Sequence, residues 1–202
     1  MVPKASVPGL GRGSPKTLRF LDIGFGSAAR IARYARKPRS KNRLFYGIES
    51  EKQRTLVSSR QKNVKLMFGK AEERLKKIPS NSLHVVNMDF FPLTTQEGVV
   101  NGFTKQGIPR IELHTRVLFP KLMGEVWRVL KKNGRVCITV PAGAVGEMDI
   151  VLFQNGFKES SFTDVPKTQR DATPDMRGHF DLAKTHPDAI PVRMIAVKRV
   201  RP

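Results

Sequence analysis

Three scarcities in the sequence exclude whole classes of protein. There is one cysteine, Cys137, in 202 residues, which excludes an intramolecular disulfide and a cysteine-based zinc site, and the four histidines lack metal-site spacing. No apolar run approaches the roughly 20 residues that a membrane-spanning helix needs, and the N-terminus has no apolar signal-peptide core. We therefore expect a protein of a reducing, cytoplasmic compartment, with no metal and no membrane.

Acidic residues are also scarce. The chain has 17 Asp and Glu against 37 Lys and Arg, a formal net charge of +20. A basic excess of this size is typical of proteins that bind a polyanion, so RNA or DNA is the expected partner. An anionic membrane surface, an acidic protein surface, and a basic surface without such a partner are the alternatives. Residues 1–16 contain basic residues, Pro and Gly but no acid, which predicts a flexible basic tail. A single domain is expected over residues 17–202.

The most informative stretch is an apolar run, 18–23, followed by the turn Gly24-Phe25-Gly26 and then by helical spacing over 27–36. An open α/β sheet presents a ligand site through such a strand, Gly-x-Gly turn and helix. A glycine lets the backbone approach a ligand closely, because no Cβ stands in the way. A tight turn without a ligand gives the same pattern, so the interpretation depends on the residues that follow.

Apolar runs and helical spacings alternate through the rest of the chain. Strands are expected at 44–49, 63–68, 83–89, 135–140, 160–165 and 192–200, and helices at 51–61, just after 72, at 111–131 and at 147–154. The stretches 93–110 and 166–190 are polar and irregular. Strands that alternate with helices predict a parallel, doubly wound α/β sheet. Within it, Tyr34 of the first helix is expected to face the sheet, and Gly134 to take the left-handed position after the long helix.

The second predicted strand ends in an acid, Glu49. It follows Gly26 by 23 residues, close to the spacing of about 20 at which an acid takes the ribose hydroxyls of a nucleoside ligand. A carboxylate can accept both hydroxyls in charge-assisted hydrogen bonds. An ordinary acid at a strand end is the alternative.

A resemblance to a known family is carried by the segment 22–28, Glu49, the segments 69–72 and 87–92, and the helix–turn–strand segment 126–136 (VWRVLKKNGRV). On these residues the chain resembles the class I S-adenosylmethionine-dependent methyltransferases over about residues 18–157. The resemblance implies a Rossmann-like, doubly wound, mainly parallel seven-stranded sheet with an antiparallel last strand, and S-adenosyl-L-methionine as cofactor. The segments 22–26 and 46–49 are also similar to those of the tRNA (guanine-N7) methyltransferases. The Phe-Pro-Asp-Pro-Trp run of that subfamily is replaced here by 88–92, MDFFP.

Carried onto this sequence, the resemblance implies a set of site residues. Those around the cofactor are Asp22, Gly24, Phe25, Gly26, Glu49, Ser50, Ala71, Glu72 and Asn87. Of these, the residues from 22 to 26 would cradle its methionine part, Glu49 would take the ribose, and 71–72 would lie beside the adenine. The implied catalytic residues are Asn87 and Asp89, and the implied substrate contacts are Phe90, Phe91 and Pro92.

Methyl transfer from a sulfonium is an in-line displacement that depends mainly on alignment and desolvation. Asp89 is the expected base or orienting acceptor if the nucleophile carries a proton of high pKa. Three interpretations remain open: a methyltransferase acting on a tRNA or rRNA base, a small-molecule or protein methyltransferase, and a non-catalytic RNA-binding protein on the same fold.

Overall fold

A computed structural model describes residues 17–24, 29–37, 42–49, 61–89, 94–95, 98–99, 119–165, 184 and 190–199. The strands of this part of the chain are β1 (Leu18–Ile23), β2 (Arg43–Glu49), β3 (Val64–Phe68), β4 (Leu83–Asp89), β5 (Thr94–Thr95), β6 (Gly98–Val99), β7 (Leu130–Pro141), β8 (Phe157–Asp164) and β9 (Pro191–Lys198). Its helices are α1 (Ala29–Arg36), α2 (Ala71–Leu75), α3 (Phe119–Val129) and α4 (Val145–Gln154), with a 3-10 turn at Ala142–Ala144.

Seven strands form one sheet in the order β3-β2-β1-β4-β7-β9-β8. All neighbours up to β7 are parallel, and β9 runs antiparallel to both β7 and β8. The predicted doubly wound, mainly parallel sheet with an antiparallel last strand is confirmed. The strand order reverses between β1 and β4, and their carboxyl ends therefore border the crevice where such sheets bind ligands. The strands β5 and β6 form a separate antiparallel pair, in a stretch that was predicted to be irregular.

Helices lie on both faces of this sheet. The main core joins α2, α3 and α4 to the sheet face that carries Leu21, Val86 and Ile138. In α3 the spacing of apolar residues holds, since Leu122 and Val126 are fully buried. On the opposite face α1 packs over β1, β2 and β3 in a smaller cluster.

The face of α1 that meets the sheet differs from the prediction. Ile31 is buried against Phe45 of β2, but Tyr34 is 38% exposed. The Lys37 ammonium lies 4.7 Å from the centre of the Tyr34 ring. The prediction for Tyr34 was therefore wrong, because its cationic neighbours Arg33 and Lys37 and its hydroxyl tip all favour a position at the surface.

Arg128 ties α3 to the end of α2. Its guanidinium donates hydrogen bonds to the carbonyl oxygens of Leu75 and Ile78, at 2.9 and 3.1 Å, and it pairs with Glu125 at 2.7 Å. The backbone carbonyl of Arg128 accepts from the Asn81 amide at 2.9 Å. The arginine thus adds a second donor to the Leu75 carbonyl oxygen, which also accepts from the Ile78 amide at 2.9 Å, and supplies a donor to the Ile78 carbonyl oxygen beyond α2. This gives the segment 126–136 a structural role.

The turn after α3 also differs from the prediction. Asn133, with φ of 62°, takes the left-handed position that was assigned to Gly134; Asn is among the few residues that tolerate it. Gly134 is needed for another reason, since a Cβ there would lie 2.8 Å from the carbonyl oxygen of Lys131. The helix ends at Val129 and not at Lys131, because Leu130 already pairs with β4.

Lys198 is a buried cation at the amino edge of the sheet, and its side chain is 2% exposed. Its ammonium donates to the carbonyl oxygens of Trp127 and Leu130, both at 2.7 Å, and to Asn81 Oδ1 at 2.9 Å. Burial lowers the pKa of Lys198. Three oxygen acceptors nevertheless require the three N–H groups of the protonated form. The cation therefore caps the carboxyl end of α3, where the helix dipole favours positive charge.

We expect His84 to make the stability depend on pH. Its Nδ1 accepts a hydrogen bond from the Arg19 amide at 3.0 Å, and Lys131 Nζ lies 3.3 Å from its Nε2. Burial, followed by the charges of Lys131 and Arg19, lowers the pKa of His84 below its ordinary value of 6.5. At pH values between the lowered pKa of His84 in the folded protein and its ordinary pKa in the unfolded chain, the unfolded chain binds more protons than the folded one. The free energy of unfolding therefore falls as the pH drops through that interval.

We expect the His84→Gln variant to lose this dependence. Urea unfolding of the wild type and the variant between about pH 5 and pH 7 measures it, since histidine is the side chain that ordinarily titrates there. The free energy of unfolding of the variant should fall less steeply with acid. Equal slopes for the two proteins would show that His84 is not the group responsible.

Candidate functional site

Polar side chains gather where the parallel strands end. Asp22 and Glu49, near the carboxyl ends of β1 and β2, are only 8% and 9% exposed. The register places Asp22 beside Asn87 of β4, and Asn87 Nδ2 donates to Asp22 Oδ1 at 3.1 Å. Asn87 therefore orients a nearly buried carboxylate at the crevice. Three of the predicted site residues are thus on neighbouring strands at one edge of the sheet.

Gly24 follows β1 directly and shapes the turn. Its φ of 71° is a conformation that other residues rarely adopt. A Cβ at this position would have no atom of the described residues within 4 Å. Its amide donates to the carbonyl oxygen of Ile48 at 2.8 Å. Gly24 is thus fixed to β2, next to Glu49, and no described residue fills the space on its Cβ side.

The end of β3 closes the other side of Glu49. The Gly69 amide donates to the carbonyl oxygen of Glu49 at 2.8 Å. Gly69 has φ of 123°, and a Cβ there would lie 2.9 Å from the Arg74 guanidinium. The positive φ therefore favours a glycine at this position, whereas the flexible Arg74 side chain could move away from a Cβ. No sequence pattern predicted Arg74 at this place; its position follows from α2 folding back toward the end of β3.

The two predicted adenine contacts lie in the first turn of α2. Ala71 is buried in the main core, whereas Glu72 is half-buried. Glu72 and Glu73 both stand in this first turn, where the helix dipole favours negative charge. The structure therefore places Glu72 after the end of β3 and also gives its charge a structural role.

Several predicted site residues fall outside the described part of the chain, namely Phe25, Gly26, Ser50, Phe90, Phe91 and Pro92. The backbone of Asp89 ends β4 opposite Thr139 of β7. The roles of these six residues and of Asp89 remain predictions. Within the described ranges no group of three or more His, Cys, Asp or Glu side chains is placed to hold a metal ion. None of the helices that the structure describes is long and apolar enough to cross a bilayer.

Comparison with known proteins yields structural neighbours only. No protein-family model matches the sequence, and no curated protein matches it. Phosphoethanolamine N-methyltransferase 2 of Haemonchus contortus, in complex with S-adenosyl-L-methionine, is 14% identical with a TM-score of 0.59. The match covers 94% of this chain and 50% of that one, so the chain spans half the length of that enzyme.

Two further neighbours widen the range of functions on this fold. A chain of the complex between the Haloferax volcanii Trm112 methyltransferase activator and a putative methyltransferase gives a TM-score of 0.61 at 10% identity, covering 92% of this chain and 84% of that one. The [4+2]-cyclase SpnF gives a TM-score of 0.59 at 16% sequence identity, and the match covers 91% of this chain and 76% of the cyclase. The likeness establishes the fold of the class I methyltransferases. A fold alone does not decide the reaction, as the cyclase illustrates.

Proposed function

We propose that this chain is an S-adenosylmethionine-dependent methyltransferase whose acceptor is a tRNA or rRNA base. The observation that carries the proposal is the group at the carboxyl edge: Asp22, held by Asn87 at 3.1 Å, beside the Gly24 turn and the nearly buried Glu49. One neighbour of this fold is in complex with S-adenosyl-L-methionine, and the donors and acceptors of this group suit the same molecule.

The cofactor's polar groups have partners of matching chemistry. Glu49 would accept the two ribose hydroxyls, which a carboxylate binds in charge-assisted hydrogen bonds. Asp22 and the backbone from Gly24 to Gly26 would hold the methionine part, with Phe25 beside it. Ser50, Ala71 and Glu72 would complete the pocket at the ribose and the adenine.

The bound cofactor supplies an electrophilic methyl group. The protein's share is to align the acceptor with that group and to exclude water. Asn87 positions Asp22 through its hydrogen bond. Asp89, at the end of β4, is the proposed acceptor for a proton of the nucleophile, and 90–92, which follow it, are the proposed contacts to the base.

Charge supports RNA as the acceptor. The net charge is +20, and phosphate contacts from Lys and Arg dominate the affinity of proteins for nucleic acids. Part of this charge lies at α1 and just after it, where Arg33, Arg36 and Lys37 are exposed beside the half-exposed Tyr34 ring. An exposed ring among cations is a surface on which an unpaired base can stack.

Radiolabelled methyl transfer tests the proposal. The protein and labelled S-adenosylmethionine are incubated with total RNA, total protein or a metabolite extract, and we expect the label to enter RNA. Raising the salt from about 50 to 200 mM should weaken RNA binding steeply, by ten-fold or more if several phosphates are contacted. Nucleoside analysis of the labelled RNA identifies the modified base, with guanine N7 as one candidate.

The other results of this experiment each favour a different function. Label in protein or metabolites, and none in RNA, would indicate a methyltransferase with another acceptor. RNA binding without label in any fraction, and without binding of S-adenosylmethionine, would indicate a non-catalytic RNA-binding protein. RNA binding that hardly changes with salt would remove the argument from charge.

A further inference from the structure

The antiparallel strand β9 brings a basic residue to the carboxyl edge of the sheet. Since β9 runs against β7, its first residues lie where the parallel strands end. Arg193 is opposite Thr139 of β7 and Thr163 of β8, and Thr139 is opposite Asp89 of β4. We call these four residues the site row. Adjacent strands are about 4.8 Å apart, so the Cα atoms of Arg193 and Asp89 are separated by about 10 Å.

Arg193 also lies on the face of the sheet that carries Asn87. Met194 and Ala196, its neighbours on β9, are in the main core with α3 and α4. Side chains alternate along a strand, which places Arg193 on the opposite face. On β4 the core residues are Val86 and Met88, so Asn87 is on the opposite face too. Arg193 and the Asp22–Asn87 pair therefore border the same side of the crevice.

The side chain of Arg193 is half-buried, and its Nε has no hydrogen-bond partner among the described residues. Both of its cross-strand neighbours are threonines, so neither supplies a negative charge. A buried N–H group without a partner is unfavourable and rare in folded proteins. A guanidinium with an unpaired N–H group beside a ligand crevice is suited to bind an oxyanion. It can do so through two parallel hydrogen bonds.

We propose that Arg193 binds a phosphate group of the methyl acceptor and so places the target base over the end of β4. This inference rests on the proposed function for the identity of the acceptor, but the phosphate site can be tested without it. Arg193 would then determine acceptor affinity, and the cofactor would be held independently by the proposed cofactor residues, none of which lies on β9. Removing Arg193 should weaken acceptor binding and leave cofactor binding unchanged.

Two variants distinguish a specific phosphate contact of Arg193 from the general effect of removing one positive charge. Arg193→Gln removes the guanidinium, and Arg135→Gln removes the same charge from the same face of the sheet. Arg135 is opposite Val197, four residues and about 13 Å along β9 from Arg193. We expect Arg193→Gln to raise the KM for total RNA about 10-fold or more and to lower the salt slope of binding by about one. Arg135→Gln should change the KM by less than about three-fold, as a general phosphate contact would.

Nuclear magnetic resonance gives a second readout on the protein alone. The Nε–H signal of Arg193, assigned by its absence in Arg193→Lys, is followed while inorganic pyrophosphate is added. We expect this signal to shift before those of exposed arginines, and to shift equally in the Arg135→Gln variant. The Arg193→Lys variant keeps the charge without the planar fork and should show an intermediate KM.

Failure of this inference differs from failure of the proposed function. If RNA is methylated and the two glutamine variants have the same KM, or if pyrophosphate moves all arginine signals together, Arg193 is not a phosphate site. If no RNA is methylated but pyrophosphate shifts the Arg193 signal first, the phosphate site stands and RNA is the wrong acceptor. A change in S-adenosylmethionine affinity in Arg193→Gln, with its fold intact, would overturn the separation of the two sites.

Discussion

Replacing Glu49 by alanine is expected to weaken the binding of S-adenosyl-L-methionine by about 100-fold or more. Two hydrogen bonds to a charged acceptor would be lost, each worth roughly 1.5–3 kcal/mol. Glu49 is only 9% exposed. Water therefore has little access to the place where it could replace the lost carboxylate as a hydrogen-bond acceptor. Isothermal titration of the wild type and the variant with S-adenosylmethionine measures the change directly.

The matched control is Glu73→Ala. Glu73 is an exposed acid in α2, one residue beyond the proposed adenine contact Glu72, and its removal takes the same charge from the same part of the molecule. We expect its affinity for the cofactor to stay within about two-fold of the wild type, as is usual for a surface substitution. Circular dichroism shows whether both variants are folded. A folded Glu49→Ala protein that binds as tightly as the wild type would refute the proposed cofactor site.

Replacing Lys198 by methionine is expected to lower the free energy of unfolding by about 2–4 kcal/mol. Methionine keeps a long flexible stem but leaves Asn81 Oδ1 and the carbonyl oxygens of Trp127 and Leu130 without their ammonium donor. Removing one partner from a buried polar group costs far more than an exposed pair contributes. For a chain of this size the loss corresponds to a fall in Tm of about 5–15 °C.

Calorimetry of Lys198→Met and of a control, Lys132→Met, tests this prediction. Lys132 is exposed in the turn after α3, so its loss should change the free energy of unfolding by less than about 0.5 kcal/mol. Equal melting temperatures for the two variants would show that the cap on α3 contributes nothing. Lys198 lies at the amino edge, far from Glu49. The Lys198→Met protein should therefore bind the cofactor normally at temperatures where it is folded.

Local patterns were sufficient to predict much of the sheet. The alternation of apolar runs with helical spacings gave β1 to β4 and α2, because each of these elements buries a face that its own sequence marks as apolar. The pairing of Asp22 with Asn87 also follows from a simple rule, since parallel strands end at one edge. The prediction failed at Gly134 and Tyr34, where contacts with other parts of the chain decide the conformation.

Long-range pairing explains what sequence patterns could not supply. The resemblance implied an antiparallel last strand, but no local pattern aligns Arg193 with Thr139 or Asp89, 54 and 104 residues earlier in the chain. The burial of Lys198 could not be predicted from the sequence either, because lysine is ordinarily exposed. Its three acceptors come from α3, from the first residue of β7 and from the turn before β4. Such sites depend on a register fixed only when the sheet is complete.

The position of β9 has a consequence for the order in which the protein folds during synthesis. β9 is the last described strand in the chain, yet it lies between β7 and β8. On a ribosome that releases the N-terminal part first, β8 has no partner in this sheet until residues 191–198 emerge, and β7 presents an open edge that can pair with other chains. The same eight residues carry Arg193 and Lys198. Completion of the sheet, capping of α3 and arrival of the basic residue at the site row are therefore one late event.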